Sequence, residues 1–570
     1  RPGRRPVPAG PRRRHRARQR RDPGHRLEVS PVDDPPRDLT DLLGRLARCA
    51  PGEVGVVDAK VGPVSWGELW RRTLGLAGEL RGAGIGAGDR VAVWLPNWSD
   101  ALCWQFASAA LGAHVVGVNT RYNVDEVAHM LGAARPSLVA VAHDFHGLDL
   151  AGRLRDAADR AGVAPSVAVV AGPGREPAEQ SAGYDVGGGA WVPGLADETQ
   201  EPGPEPRPFD PHRLAVAFTT SGSTGRPKLA AHSAGGVLTH ALAGAEAIGL
   251  TGAAVVLCAI PLAGTFGFST AMAALAGGAT LVLEPVFDAD AVLDDMVRHR
   301  VSHVAAGDDM VLRLERAWRH RRRDLSAWRW WGGADFQGRL RELATWAAEE
   351  FGTLTTGLYG SSEVFALASM WPPEVPAPRR WDAGGRVVTP RIEVRVADPD
   401  SGLAVPDGTR GELWFRGPNV VDNYLGSPEA ESTAFTEDGW FRSGDLGVLA
   451  EPGVFTFVCR MGEALRLRGF LVDPAEIELR LTAHPDVDTA KVVGIPGPDG
   501  GTRAIGFVVP AASAAPTPDE LRGWCARSLA AFKVPDAVHV IDQMPTTSGT
   551  NGTKIRAAAL REWALRRAAG

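Results

Sequence analysis

Lysine is nearly absent from this chain of 570 residues: it occurs at Lys60, Lys228, Lys491, Lys533 and Lys554, while arginine is abundant. Where positive charge alone suffices the sequence uses arginine, so Lys228, kept inside a loop rich in glycine and hydroxyls, suggests a need for a slim ammonium rather than a planar fork. Cysteine is scarce too. Cys49, Cys103, Cys258, Cys459 and Cys525 are scattered without ligand spacing, which argues against a zinc site and fits a reducing cytoplasm. No apolar run is long enough to cross a bilayer, so no membrane partner is expected. The formal net charge of −5 provides no basic surplus for general nucleic-acid binding, and no repeat occurs at solenoid spacing.

What is present divides the chain into three parts. Residues 1–37 are Arg/Pro-rich and lack apolar periodicity, so a disordered extension outside the fold is expected. From Leu39, strand-like runs such as Val91 to Leu95, His114 to Val118 and Leu138 to Ala142 alternate with helical runs such as Ala101 to Leu111 and Val124 to Leu131. The alternation resumes from Leu214 to Arg298 and predicts an α/β fold of stacked βαβ units with largely parallel sheets. Pro/Gly-rich stretches around Gly172 to Gly189 and Glu201 to Pro211 read as surface loops. Short β-rich runs between about Val387 and Val458 predict a barrel-like subdomain, and a small α+β domain follows. The expected boundaries are 38–460 for a large N-terminal domain and 461–570 for a mobile C-terminal one.

The stretch Phe218 to Ser233, FTTSGSTGRPKLAAHS, is the strongest local signal. Thr220, Ser221, Ser223 and Thr224 supply hydroxyl donors, Gly222 and Gly225 let backbone approach closely, and Lys228 adds a point charge. This is a loop for a polyphosphate, hence for a nucleotide. Arg226 and Pro227 separate the second glycine from the lysine, which excludes the G-x-x-x-x-G-K-[ST] loop of P-loop enzymes.

With this loop the sequence resembles the acyl-adenylate-forming synthetases, the superfamily of acyl-CoA and aryl-CoA ligases, adenylation domains and luciferases. Four further motifs follow in the family's order: Trp331-Gly332-Gly333-Ala334, Tyr359-Gly360-Ser361-Ser362-Glu363, the long segment Gly411 to Gly447, and Asn551-Gly552-Thr553-Lys554-Ile555. The resemblance implies that Thr220, Ser221, Gly222, Thr224 and Lys228 engage the ATP phosphates, and that Gly333 and Ala334 form the adenine turn. Tyr359 would stack on adenine, Ser362 would face the α phosphate, and Glu363 with Thr224 would hold Mg²⁺. Asp445 would accept the ribose hydroxyls, Arg460 would bind ribose or phosphate, and Gly462 would be the hinge. Lys554 would be the swinging catalytic lysine. Arg466 and Arg468 would serve the thioester step or stand as solvated charge.

The implied reaction is ATP-dependent activation of a carboxylic acid as acyl-AMP with pyrophosphate release, then transfer to the thiol of coenzyme A. A phosphopantetheine thiol on an acyl carrier protein is the alternative acceptor, and a catalytically silent nucleotide binder is the alternative class. Gly264 stands in a Pro261-Leu262-Ala263-Gly264 segment where the family often has a Phe-His pair, and Leu358 stands where long-chain enzymes often carry glycine. A wide, short pocket for an aromatic or bulky acid is therefore expected, with His232, Gly264, Phe266, Trp331 and Leu358 as its candidate residues. Ser269 occupies a position where an amino-acid-activating domain would carry aspartate, which argues against amino-acid substrates.

Overall fold

The computed structural model describes residues 3, 36–143, 145–172, 190–191, 210–220, 227–335, 339–398, 401–461, 465–468, 470–472, 474–498, 501–549, 552–555 and 557–568. Nearly all of the Arg/Pro-rich extension, most of the two Pro/Gly-rich stretches, Ser221 to Gly225 of the phosphate loop and Gly462 lie outside these residues.

Two sheets form the large N-terminal domain. In the first, the strands Leu214–Thr220, His114–Gly117, Arg90–Trp94, Leu138–Ala142, Ser166–Val170 and Ala190–Trp191 run parallel in that spatial order. Lys228–Ser233 joins antiparallel beside Leu214–Thr220, and Asn423–Tyr424 covers the outer edge of that hairpin. In the second, Val54–Asp58, Thr280–Leu283, Val255–Cys258, His303–Gly307, Trp330–Ala334 and Leu354–Ser361 are parallel neighbours. The barrel-like strands predicted from the sequence continue this sheet antiparallel, through Phe365–Met370, Gly384–Val387, Val454–Arg460, Phe441–Glu451, Arg410–Arg416 and Glu393–Ala397.

Strand composition explains the parallel runs. Leu138–Ala142 is buried at every position, as expected when helices cover both faces of a sheet. The helices Ala234–Ile248 and Thr265–Ala276 are built largely from alanine, glycine and small polar residues; the second is buried nearly all round, and the first is exposed only at Glu246 and Ala247. Small side chains let them pack closely: a methyl group added at Gly244 would meet Ala273 Cβ at 3.4 Å.

The smaller C-terminal domain has its own core around Leu465, Val472, Ile477, Leu481, Val492 and Val508. The strands Val487–Pro496 and Thr502–Pro510 pair antiparallel, and Ala537–Val540 lies parallel to the second. Helices Pro474–Thr482, Pro518–Ala526 and Ala557–Ala568 complete it.

Asn97 ties the first sheet to the second. Its Nδ2 donates to the carbonyls of Cys258 at 3.0 Å and Ile260 at 2.9 Å, and its Oδ1 accepts from Leu262 N–H at 2.8 Å. The amide is buried, so removing it strands three backbone groups, each at about 1–3 kcal/mol. We expect Asn97→Leu to lower the urea midpoint of the N-terminal domain by an amount equivalent to about 3 kcal/mol, with an unchanged slope. A loss below about 0.5 kcal/mol would show that the tie is not structural.

Candidate active site

The hairpin places the phosphate loop's two ends side by side, with Thr220 opposite Lys228 in register. The Lys228 ammonium lies 5.0 Å from the Tyr424 ring centre, close enough for a cation–π attraction. The Tyr424 hydroxyl in turn stands 3.4 Å from Glu363 Oε1. A cation and a carboxylate thus flank one aromatic ring. The sequence expectations give Tyr424 no role; its signal is its place within the long segment Gly411 to Gly447, one residue after Asn423. Among the described residues no cluster of three or more His, Cys, Asp or Glu side chains could hold a metal. A single carboxylate, Glu363, across the Tyr424 ring from a lysine nevertheless fits Mg²⁺, which takes one or two protein carboxylates and completes its shell with phosphate oxygens and water.

Ser362 and Glu363 ride on a turn anchored through its carbonyls. The Ser362 carbonyl lies 2.7 Å from His232 Nε2, that of Glu363 accepts Val421 N–H at 2.6 Å, and that of Val364 accepts Asn419 Nδ2–H at 2.8 Å. Two residues on, the Ala366 carbonyl lies 2.7 Å from His240 Nε2. The Phe365 ring is sandwiched between the two imidazoles, at centroid distances of 4.0 Å to His232 and 4.8 Å to His240. Phe365 and Leu367 have φ of 60° and 65°, a conformation costing about 1–3 kcal/mol per non-glycine residue that surrounding contacts must enforce.

His232 was expected in the substrate pocket, and the structure corrects this. Its ring is wholly buried beneath the turn and acts on Ser362 through the backbone. Burial pushes both histidines down to about 4, with the His240 charge adding to the effect on His232. Both are therefore neutral at pH 7, with Nε2 carrying the proton that each carbonyl accepts. Their Nδ1 atoms are buried without a hydrogen-bond partner among the described residues.

On the opposite wall, the Tyr359 hydroxyl donates to Asp445 Oδ2 at 2.7 Å. The Tyr359 ring stacks on Phe415 at 5.5 Å and meets the edge of Phe455 at 5.1 Å, so its observed task is to orient Asp445. Asp445 N–H is held by Ser443 Oγ at 3.0 Å, and Asp445 pairs in register with Arg460. The strand Trp330–Ala334, which carries the expected adenine turn at Gly333 and Ala334, runs beside Leu354–Ser361 with Gly333 opposite Gly357. Glycine is required at Gly357 by close approach, since a Cβ there would fall 2.1 Å from the Asp382 carbonyl oxygen, whereas one on Gly333 would meet only side chains, Leu340 Cδ1 nearest at 2.3 Å. Ala334 ends the strand.

The two adjacent tryptophans separate by strand parity. Trp331 is fully buried among Trp328, Leu343 and Trp346, with its indole N–H donating to the Ala306 carbonyl at 3.1 Å. It is core and not a pocket wall, contrary to the sequence expectation. Trp330 points the other way, into an apolar cluster with Leu358, Leu367 and Met370 against which Phe266 and Ile248 pack. Gly264 caps the helix Thr265–Ala276, and a Cβ there would meet only the Pro261 carbonyl at 3.5 Å.

The remaining expected residues sit in the C-terminal part or at its junction. Arg460 ends the strand Val454–Arg460, Arg466 pairs with Leu471, and Lys554 pairs with Thr547. The side chains of these three lie outside the described residues, as do Ser221, Gly222, Ser223, Thr224, Gly225 and Gly462.

The buried histidines give the fold a measurable acid sensitivity. An imidazole held at about 4 when folded and near 6.5 when unfolded contributes stability fully present above about 6.5. That contribution falls as pH drops towards 4, because there the unfolded chain binds the extra proton. We expect His240→Gln, compared with the parent in urea unfolding at several pH values, to flatten the decline between pH 6.5 and 4. Parallel curves for the two proteins would contradict a buried neutral His240.

Comparison with known proteins accords with this geometry. The family model described as "AMP-binding enzyme" matches residues 45–425, and the model "AMP-binding enzyme C-terminal domain" matches 476–550. A feruloyl-CoA synthase from Amycolatopsis sp is 32% identical over 85% of this chain and 91% of its own length. The protein 4-coumarate--CoA ligase-like 6 of Oryza sativa subsp. japonica is 30% identical over 86% of this chain and 81% of its own. Among solved structures, the amide bond synthetase McbA from Marinactinospora thermotolerans superposes with a TM-score of 0.77 at 29% identity, covering 92% of this chain and 99% of that one. A phosphate-loop hairpin, an anchored Ser-Glu turn and a tyrosine-held aspartate, in a chain matched along most of its length, make this protein a member of the AMP-binding enzyme family, the acyl-adenylate-forming synthetases.

Proposed function

We propose that this enzyme joins an aromatic carboxylic acid to coenzyme A through an acyl-adenylate. The reading of the acid's class rests on the apolar cluster of Trp330, Leu358, Leu367 and Met370, with Phe266 packed against it, which would close the acyl site at the back, and on Gly264, whose lack of a side chain would leave that site wide. Width without length suits a ring better than an extended chain. The feruloyl-CoA and 4-coumarate-CoA enzymes among its relatives act, by name, on such acids.

The chemistry divides among the residues described. Lys228 meets the phosphates, and Asp445, oriented by Tyr359, takes the ribose hydroxyls. Glu363 would hold Mg²⁺, which when bound neutralises charge on the departing pyrophosphate. The acid's carboxylate oxygen attacks the α phosphorus and pyrophosphate leaves. Two anions must meet, so cationic stabilisation governs the rate, and Lys554 is the proposed lysine for this step. The C-terminal domain, 461–570, would then turn about Gly462, with Arg466 facing the thiol substrate. The CoA sulfur attacks the acyl carbonyl and AMP departs. A cytoplasmic setting, where ATP and CoA are abundant, fits this reaction.

The test is pyrophosphate release with benzoate-like, cinnamate-like, naphthoate-like and straight-chain acids, each with CoA, a carrier-protein phosphopantetheine or an amine as acceptor. We expect an aromatic acid and CoA to give the highest kcat/KM. A preference for a long straight-chain acid would overturn the acid's class, and a preference for an amine would replace the acceptor. Lys554→Ala should slow adenylation at least about a hundredfold, the scale of a lost charge-stabilising group, while supplied acyl-adenylate still reacts with CoA at near the parent rate. Equal losses in both half-reactions would remove Lys554 from the first step.

Gly264→His should exclude the bulkiest acids by steric overlap while sparing small ones. The order of kcat/KM across the same acids checks this, and an unchanged order would place the acyl ring elsewhere.

A further inference from the structure

The helix Val124–Ala134 and the turn before it grip both ends of the phosphate loop. Where the chain leaves the loop, His129 Nε2 lies 2.7 Å from the Pro227 carbonyl. Where the chain enters it, the Thr219 hydroxyl lies 3.5 Å from Met130 Sδ, and the Tyr122 hydroxyl also bonds the Thr219 side chain. Thr220 and Lys228 are the next residues on either side. The helix therefore sets where both stand.

The same helix receives the C-terminal domain. Glu126, in its first turn, closes a capping box with Asn123. Its Oε1 also accepts Lys533 Nζ at 2.9 Å, and Lys533 makes a second bond of 2.7 Å to Glu476 in the helix Pro474–Thr482. All three side chains are at most 10% exposed. Lys533 further lies 5.9 Å from the Tyr122 ring centre. A second attraction crosses the same junction, between Asp125 and Arg480. Burial opposes the charge on Lys533, but Glu476 and Glu126 outweigh it and hold the ammonium above the usual lysine range.

We propose that Lys533 is a positioning residue for adenylation: by docking on Glu126 it couples the placement of the C-terminal domain to the helix that holds Thr220 and Lys228, so that full ATP affinity requires the docked domain. The inference rests on the adenylation reading above. When the domain departs, Lys533 keeps Glu476 and Glu126 keeps its cap. Both sides therefore remain satisfied, and the helix loses only the restraint from across the junction.

Glu126→Gln tests this, because glutamine preserves the capping box while removing the charge Lys533 meets across the junction. ATP affinity, measured calorimetrically with Mg²⁺ and no acid, should weaken about tenfold, the effect of losing ~1.4 kcal/mol. The reaction of supplied acyl-adenylate with CoA should be unchanged. Glu476→Gln removes the partner on the same domain but leaves the pair that crosses, so its ATP affinity should stay within about twofold of the parent, a change of less than ~0.5 kcal/mol. Lys533→Met should reproduce the Glu126→Gln loss. Combined with His129→Phe, which cuts the link to Pro227, Glu126→Gln should add nothing further. Unchanged ATP affinity in Glu126→Gln, or equal losses in Glu126→Gln and Glu476→Gln, would reduce the triad to a stabilising contact. Because ATP binding is read without turnover, failure of this idea is distinct from failure of the aromatic-acid reading, which would show only in the acid panel.

Discussion

Four carbonyl oxygens within five residues carry the centre of this enzyme. Those of Ser362, Glu363, Val364 and Ala366 each take a donor from a different place: His232, the Val421 backbone, Asn419 and His240. The donors come from the phosphate-loop hairpin, from the helix behind it and from the segment that leads to Tyr424. A turn held this way can keep two left-handed residues, Phe365 and Leu367, in place. It also locks the Ser-Glu pair to the same hairpin that bears Lys228. Together with the Asn97 tie, those anchors hold in place a carboxylate and a lysine that belong to two different sheets.

Charge follows a division of labour already visible in the composition. Every described lysine amine sits where a compact charge is needed: Lys60 on Asp100 at 2.7 Å, Lys491 on Glu478 at 2.9 Å, Lys533 between two glutamates and Lys228 over Tyr424. Arginines instead lie flat on rings, as Arg395 does on Trp414 and Trp440, or form forked surface pairs such as Arg416 with Glu393. Guanidinium planes suit stacking and bidentate pairing, whereas an ammonium fits a tight buried cluster.

The α/β architecture was legible because alternating apolar runs report buried parallel strands directly, and the order of motifs carried the family. Side-chain direction was the harder quantity. Trp330 and Trp331 are neighbours of the same type, and only the register of the strand decides which enters the core and which faces Leu358. His232 looked like a pocket residue because it closes a functional stretch, yet its bond runs inward to a backbone carbonyl that no sequence pattern marks. Lys533 carried the same rarity signal as Lys228 and Lys554. No sequence pattern reveals its role, because its partners lie 407 and 57 residues away along the chain.

The alanine- and glycine-rich helices Ala234–Ile248 and Thr265–Ala276 set the distance between the sheets that enclose them. Larger side chains there would force whole layers apart, so those helices are poor ground for change in substrate range. The proposed acyl site is different, since a Cβ at Gly264 would meet only the Pro261 carbonyl at 3.5 Å and Leu358 lies in a small separate cluster. A few exchanges at those two positions can therefore change which acids fit, while the layered interior between the sheets stays constant.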